Sequence, residues 1–400
     1  MPIYKIRQSE LSSDSEHFHQ YLEDAHGAKV RPLCLCQSEP VEMYVARFDG
    51  RFLIKRMPGT GSKHDSACEH FEPPAGLSGL GEVMGRAIQP QTDGTTALKF
   101  DFSLSKAAGR APPKPSDNPS ATIKVDNSKL SLLGLLHYLW HEADIHRWIP
   151  AFSGKRNWRT VRNRLIEAAA QKTSRKMALL DRLLVPEAFS SEHADDIDNR
   201  RNSFLNRFRS GDPRKRELIL IVGEVKEIGA SRYGSRITVK HAPKFSVFLD
   251  DKAHERLRKR FSTEFALAEA YEHSHLMMIA TASVNEANSA IVEEIGLMLV
   301  NENWIPCETL EEYSLIEALT SQRRSFLKGL RFDARDKPLA SALLTDLKPP
   351  VGLYLLYPDS DIIHSDIIDE LSTETEIPAW KWVIEDGPWP ELPAVQSRKN

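Results

Sequence analysis

The sequence has little cysteine, no long apolar run and no strong net charge. Its 400 residues contain 4 Cys and carry a formal net charge of −3. Four cysteines are too few for the disulfide framework of a secreted scaffold. No stretch approaches the roughly 18 apolar residues that a transmembrane helix needs. The balanced charge excludes a protein that binds nucleic acid over its whole surface, so any such binding requires a local basic patch.

The N-terminus also lacks the features of a secretory signal. The opening "MPIYKIRQSELSSDSEHF" has no basic start followed by an apolar run. Together with the scarce cysteine, this predicts a cytoplasmic protein without membrane contact. Hydrophobic residues at 41% and charged residues at 27% are typical of a globular protein. The length suits two or three domains with substantial cores.

Changes in composition and periodicity divide the chain into segments. The alternating stretch "VEMYVARFDGRFLIKRM" predicts a β-hairpin around the turn Asp49-Gly50. A later stretch rich in Pro, Ser and Ala predicts a linker. The expected units are a zinc-binding β-hairpin domain (1–104), the linker (105–127), a helical segment (128–216), a central β-rich α/β unit (217–305) and a C-terminal α/β domain (306–400). We therefore expect a mixed α+β, multidomain protein.

Three of the four cysteines lie with a histidine between residues 34 and 68. Cys34 and Cys36 flank one residue, 27 residues separate Cys36 from His64, and three more separate His64 from Cys68. Three thiolates and one imidazole form a ligand set that a structural Zn²⁺ takes in tetrahedral geometry. The intervening hairpin would return the chain to the CxC end. Because four protein ligands leave no open coordination position, we expect a structural zinc site.

The same stretch leaves alternatives open. His70 could replace His64, in a CxC…CxH order that resembles the SWIM-type zinc finger. Alternatively, the cysteines are only small buried hydrophobic residues. Cys307 stands alone in the sequence, and we expect it to be a packing residue.

Local basic charge is the second feature. Residues 147–176 contain nine Lys or Arg and one acid, Glu167. Lys155, Arg159 and Arg162 are spaced by four and three residues, so they share one face of a helix. A first helix over 130–142, a short second helix and then "KRNWRTVRNRLIEAA" would give the element order of a helix-turn-helix.

This pattern predicts DNA binding by the basic helix. The candidate DNA-binding residues are Lys155, Arg156, Arg159 and Arg162. The alternative is a solvated basic face that meets the acidic stretch 187–198 within the protein, because charge runs usually only solvate a surface.

Several segments resemble the domain of unknown function 1173 (DUF1173) family. They include "MYVARF", "FLIKRMPGTGSKHDSAC", "LLGLLHYLWHEADIHRW", "LILIVGEVKEIGASRYG" and "MLVNENWIPCET", and they span nearly the whole chain. The resemblance implies an association with bacterial integrative and conjugative elements and plasmids. The biochemical activity of that family is uncharacterised, so the resemblance does not point to any particular reaction. The family pattern has a His at position 64, which favours His64 over His70 as the fourth ligand.

The C-terminal segment also resembles a restriction-endonuclease-like module. Such modules hold a divalent ion with carboxylates on two adjacent strands. Ser341 and Tyr354 stand where those carboxylates would be, so the resemblance implies the fold without the chemistry. Asp333, Asp336 and Asp346 lie close by as candidates for a displaced metal site.

The sequence thus predicts a zinc-binding, DNA-associated accessory protein of a mobile element without catalytic activity. Its expected partners are DNA and proteins of the same element. Two alternatives are an adaptor that binds proteins and not DNA, and a metal-dependent nuclease with a displaced active site.

Overall fold

A computed structural model describes residues 2–48, 50–57, 59–91, 94–107, 128–209, 215–232, 234–334, 337–357 and 361–395. The predicted mixed α+β class is confirmed, since helices and several sheets alternate along the chain. Of the predicted linker, residues 105–107 form a short strand and residues 108–127 lie outside the described residues. Asp49 and Asp336 also lie outside them.

The N-terminal part is built on a five-stranded antiparallel sheet with the order β2-β1-β3-β4-β5. Its elements are β1 (Ile3–Ile6), β2 (Ser9–Ser12), α1 (Phe18–Gly27), β3 (Leu33–Cys34), β4 (Val41–Phe48) and β5 (Arg51–Arg56). The β4–β5 pair is the predicted hairpin, with Phe48 opposite Arg51. Helix α1 buries Leu22 and Ala25 against this sheet.

The next elements are short: α2 (Leu80–Val83), β6 (Ile88–Pro90), β7 (Thr96–Leu98) and β8 (Ser105–Ala107). Strand β6 pairs with β7, and β7 pairs in turn with a strand from the helical segment. That segment contains α3 (Leu132–Glu142), β9 (Arg147–Trp148), α4 (Trp158–Ala169), β10 (Lys172–Ser174), β11 (Met177–Ala178), β12 (Leu183–Leu184), α5 (Ala194–Asn206) and β13 (Lys215–Glu217). Strands β6, β7, β10 and β11 form one sheet, and β8 pairs with β13.

The structure corrects the predicted helix-turn-helix order. Residues 143–157, all described, form β9 and a 3₁₀ turn at Pro150–Phe152 instead of a second short α-helix. Strand β9 is antiparallel to a strand near residue 326. This long-range pairing holds the backbone extended, which helical periodicity cannot reveal. Helix α3 is buried over nearly its whole length and offers no free face.

The central part contains β14 (Ile219–Ser231), β15 (Gly234–Val239), β16 (Ser246–Leu249), α6 (Asp251–Arg260), α7 (Ser262–Ala270), β17 (His275–Val284) and β18 (Ala290–Val300). The five strands close on themselves in the order β14-β15-β16-β18-β17, with β17 pairing back to β14. Residues at alternating positions along these strands, such as Ile221, Ile237 and Leu299, belong to one core cluster. We call this unit the central barrel. Its strands fall within the predicted segment 217–305.

The C-terminal part has the order β22-β21-β20-β19-β9 in one sheet. Its elements are α8 (Leu310–Ser321), β19 (Phe326–Lys328), β20 (Ala342–Leu344), β21 (Val351–Leu356), α9 (Asp361–Thr375) and β22 (Ala379–Val383). Trp148, Ile237 and Leu353 lie in the same buried cluster. The division into separate domains stays a prediction, and three of its segments share one core.

Candidate metal centre

The four candidate metal ligands come from two places in the fold. Cys34 lies in β3, between β1 and β4, where its backbone pairs with Tyr4 and Val41. Cys36 follows two residues later. His64 and Cys68 come from the loop that follows a 3₁₀ turn at Gly61–Lys63. We call residues 64–72 the ligand loop. The sheet therefore fixes one pair of ligands, and the ligand loop brings the other pair to it.

The distances within this cluster are those of a metal tetrahedron. The Sγ atoms of Cys34 and Cys68 are 3.8 Å apart, and Nδ1 of His64 lies 3.3 Å from Sγ of Cys36 and 3.8 Å from Sγ of Cys68. All four ligand atoms lie within 4.8 Å of one another. A tetrahedral zinc with ~2.3 Å Zn–S bonds has S···S edges of about 3.8 Å and S···N edges of about 3.5 Å. The cluster could therefore hold a metal ion.

Two backbone amides point at the sulfur atoms. The Asp65 N–H donates to Sγ of Cys36, and the His70 N–H donates to Sγ of Cys68, each at 3.4 Å. The hydrogen bond with Cys34 and burial raise the pKa of Cys68, and burial raises the pKa of Cys36. Packed together as thiols, these groups need a cation to exist as thiolates near neutral pH. A bound metal would supply that charge.

The structure separates the roles of the two histidines. His64 is buried and stands within the cluster. The His70 ring instead has its Nε2 2.6 Å from the Tyr4 hydroxyl. Burial lowers the pKa of His70 to about 3, so its ring is neutral. Cys307 is buried in the main core and its thiol donates to the Ile305 carbonyl at 3.6 Å, as expected for a packing residue.

The ligand loop is tied to the rest of the protein by charged groups. The Arg147 guanidinium donates to the Phe71 carbonyl at 2.7 Å and to the Cys68 carbonyl at 3.5 Å. Lys348 forms an ion pair with Asp65 at 2.6 Å. Because Arg147 lies in β9 and Lys348 follows β20, the loop rests on the C-terminal sheet.

Sequence reasoning missed the buried charges beside the ligand loop. Glu72 bonds both Arg56 and, at 2.6 Å, Nε2 of His141. Glu142 forms an ion pair with Lys172 at 2.6 Å. Burial alone would raise the pKa of Glu142, but the Lys172 charge and other nearby cations lower it to about 2. Arg56, Glu72, Glu142 and Lys172 border a cleft of about 2220 Å³. They are common residue types far apart in sequence, so no motif marks them.

The structure divides the four predicted DNA-binding residues into two pairs. Lys155 and Arg159 are exposed, and within the described residues their side chains make no hydrogen bond or ion pair. Arg156 instead donates to the carbonyls of Ile145 and Asn303, at 2.8 and 3.0 Å, and to that of Arg147. Burial lowers the pKa of Arg156 to about 10.

Arg162 is also partly used within the protein. Its Nε donates to the Val185 carbonyl at 3.1 Å, and burial lowers its pKa. The opposite face of α4 is buried through Trp158, Val161 and Leu165. Helix α4 is therefore anchored on one side and exposes Arg159 on the other. Lys155 is exposed in the turn before the helix begins, so the prediction that it shares a helical face with Arg159 and Arg162 is wrong.

A basic hairpin follows α4 directly. Strands β10 and β11 are joined by Arg175 and Lys176, both exposed, with φ of 50° and 66°. Positive φ at both central residues is typical of a tight two-residue hairpin turn. The turn thus adds two cations to those exposed on α4.

The acidic stretch 187–198 pairs elsewhere. Glu187 bonds Arg200 at 2.7 Å, and Asp198 bonds Arg201 at 2.6 Å and Lys244 at 3.0 Å. Glu187 also lies close enough to Arg162 for their charges to interact. Within the described residues, the acidic stretch does not cover the exposed face of α4.

The nuclease-like positions are buried or engaged. Ser341 and Tyr354 are 8% and 3% exposed. Asp333 accepts hydrogen bonds from the Ser131 N–H and hydroxyl, and Asp346 pairs with Arg324. Asp336 lies outside the described residues. No further cluster of His, Cys, Asp or Glu suited to a metal occurs in the part of the chain that the structure describes.

A family model described as "Protein of unknown function (DUF1173)" matches residues 4–385, nearly the whole chain. No curated protein and no solved structure matches the chain, so the resemblance to restriction endonucleases has no support. Among the described residues, every helix is too short or too polar to cross a membrane.

Proposed function

The chain belongs to the DUF1173 family of proteins of unknown function, and on that premise we propose that it is a zinc-binding, DNA-associated accessory protein without catalytic activity. The metal part rests on the tetrahedral spacing of Cys34, Cys36, His64 and Cys68. The DNA part rests on the exposed cations of α4, of the turn before it and of the β10–β11 turn.

Zinc is the metal that this ligand set favours. Three thiolates with one imidazole suit a tetrahedral Zn²⁺ site, and four protein ligands leave no position for water or substrate. The ion is structural: it joins β3 to the ligand loop. That loop carries Glu72, which engages Arg56 and His141. Zinc therefore organises the junction between the N-terminal sheet and α3.

Duplex DNA is the proposed ligand of the basic surface. Arg159 lies on the exposed side of α4, Lys155 is exposed in the turn before that helix, and Arg175 and Lys176 are exposed in the β10–β11 turn. Exposed, unpaired cations contact phosphates and release counterions, so the affinity falls steeply with salt. Arg156 supports the helix from within through its carbonyl partners and is not a phosphate contact.

The family resemblance supplies the proposed setting. It supports a role inside a bacterial cell, on the DNA of an integrative or conjugative element or a plasmid. The other proposed partners are proteins encoded by the same element. In such a role the protein would hold DNA and leave its chemistry to other proteins.

Metal analysis of purified protein tests the zinc site. The wild type should contain one zinc per chain, and Cys36→Ser should lose it. Cys307→Ser is the matched control, because it removes a buried thiol outside the cluster and should leave the zinc content unchanged. One zinc per chain in Cys36→Ser would refute the ligand assignment.

Charge reversal tests the DNA surface. The double variant Lys155→Glu and Arg159→Glu should weaken binding to a labelled duplex by about tenfold or more and flatten the salt dependence. Lys5→Glu with Arg7→Glu is the control, since it makes the same charge change at exposed positions near β1. Equal duplex binding by both double variants would contradict the proposal.

A further inference from the structure

The central barrel has a distinctive strand order. Its five strands, β14 to β18, are numbered first to fifth along the chain. Around the barrel the neighbours follow in the order first, second, third, fifth and fourth, and the fourth pairs back with the first. The third and fifth strands are parallel, and the other neighbours in the ring are antiparallel. Helices α6 and α7 stand between the third and fourth strands. This is the arrangement of the barrels that bind oligonucleotides and oligosaccharides.

One side of the barrel is covered by helices. Leu220 of β14, Met277 of β17 and Met298 of β18 point away from the barrel interior and belong to the core that contains α3 and α4. The residues between them in sequence, such as Ile221 and Met278, belong to the inner cluster. The outer faces of β14, β17 and β18 are therefore packed against protein over these positions.

The outer face of β15 and β16 is open. Ile237 and Val247 are buried inside, whereas the alternating residues Arg236, Thr238, Ser246 and Phe248 face outward and are exposed or half-buried. We call these four outward residues the open face. The second and third strands, which form this face, are the ligand-binding strands in barrels of this order.

The chemistry of the open face suits a nucleic acid strand. Arg236 lies directly opposite Phe248 across the strands, and Phe248 lies opposite Ile291, which is 38% exposed. Within the described residues, the Arg236 side chain makes no hydrogen bond or ion pair. Its other neighbour is Gly229, beside which there is open space. A free cation thus stands next to an accessible aromatic ring.

Nearby groups add further positive charge. Helix α6, which packs against β15, has five Lys or Arg and two acids over residues 251–260. Glu227 is an acid on this side, and it accepts a hydrogen bond from Thr238 at 3.1 Å. Arg260 of α6 lies near the acids Asp101, Glu264 and Glu294, so Arg236 is the cation that the open face itself supplies.

We propose that the open face binds single-stranded DNA, with a base stacked on Phe248 and a phosphate held by Arg236. Fold alone does not establish a ligand, so the inference depends on this pairing of a ring with a cation. Stacking tolerates any base, and the basic surroundings follow the backbone, as in other single-strand-binding barrels. The inference goes beyond the duplex surface on α4 and concerns a separate site.

Fluorescence anisotropy with a labelled oligothymidylate tests the site. An oligomer of about 20 nucleotides exceeds the ~4–16 nucleotides that one such barrel covers. The wild-type protein should bind it, and Phe248→Leu with Arg236→Gln should bind about tenfold or more weakly. Phe248→Tyr keeps the aromatic ring and should retain wild-type affinity for the oligothymidylate. A ring with only a structural role would not require this result.

The matched control and the second site make the outcome unambiguous. Phe189→Leu with Arg7→Gln removes an exposed ring and an exposed cation elsewhere and should leave the affinity unchanged. The Lys155 and Arg159 reversals should affect duplex binding and spare the oligothymidylate. Absent binding by the wild type, or equal binding by the open-face variant, would overturn the inference. Tighter binding of an oligouridylate than of the oligothymidylate would overturn the choice of DNA.

Discussion

Removing the metal from the Cys34, Cys36, His64 and Cys68 cluster should open the ligand loop and the β4–β5 hairpin while the central barrel stays folded. The perturbation is a strong chelator added to the wild-type protein at neutral pH. The sheet at β3 and the ligand loop approach each other through these four side chains, and two of the four, Cys34 and Cys68, also belong to the small N-terminal core.

The size of the effect follows from the length of chain that the metal closes. Between Cys36 and His64 lie 27 residues, which include the hairpin. A cross-link that closes a loop of about 29 residues stabilises the fold by about 3.6 kcal/mol at 25 °C through the entropy of the unfolded chain. Since every 1.4 kcal/mol is tenfold, opening should become a few hundred times more frequent.

Hydrogen exchange followed by mass spectrometry measures this opening. Peptides covering residues 33–72 should exchange a few hundred times faster after chelation. A peptide covering β17, whose residues pair on both sides within the barrel, is the internal control and should keep its rate. Cys307→Ser protein should respond to the chelator as the wild type does.

One result would refute this reasoning. If metal analysis shows that the chelator has emptied the site and residues 33–72 still exchange at their original rate, then the metal does not hold the ligand loop. Faster exchange across the barrel as well would mean that the two parts unfold together, which contradicts a local role for the metal.

Three further predictions concern the rest of the fold. The pKa of Glu142 is lowered from about 4.5 to about 2 in the folded state. Glu142 therefore contributes about 3 kcal/mol to the free energy of unfolding above pH 4.5, and this contribution is lost as the pH falls toward 2. Urea unfolding should show this loss of stability in acid for the wild type and not for Glu142→Gln. Ser131 caps α3 by accepting from the Gly134 N–H, so Ser131→Ala should cost about 1 kcal/mol, and an unchanged melting temperature would contradict this. Asp346 pairs with the buried guanidinium of Arg324, so Asp346→Asn should lower the free energy of unfolding by about 3 kcal/mol, whereas unaltered denaturant unfolding would count against a structural role.

The sequence predicts most local elements correctly because their periodicity is local. The hairpin at β4–β5 follows from alternating apolar residues and a turn signal, and the strands β14 to β17 lie in the segment predicted to be β-rich. The amphipathic pattern of residues 252–273 predicts one helix. The structure divides this stretch into α6 and α7 at Phe261, whose side chain is buried. Tertiary packing of that side chain overrides the continuous pattern.

The candidate metal site could be predicted because its residue types are scarce. Cysteine is so rare in this chain that three thiols beside a histidine stand out. The engagement of Arg156 could not be predicted, because two of its carbonyl acceptors lie at Ile145 and Asn303, far apart in sequence. The closure of the barrel was equally hidden, since it depends on the pairing of β14 with β17 across the intervening strands and helices.

Strand β9 sets an order of events during synthesis. Its residues Arg147 and Trp148 pair with Leu327 and Phe326, so the strand gains this partner only after the ribosome has made residues 326 and 327. Contacts between distant parts of a sequence form late because a long loop must close first. The metal ligands, by contrast, are complete once residue 68 has emerged. We therefore expect a nascent chain to capture its ion early and to dock the ligand loop on Arg147 only after β19 has been made.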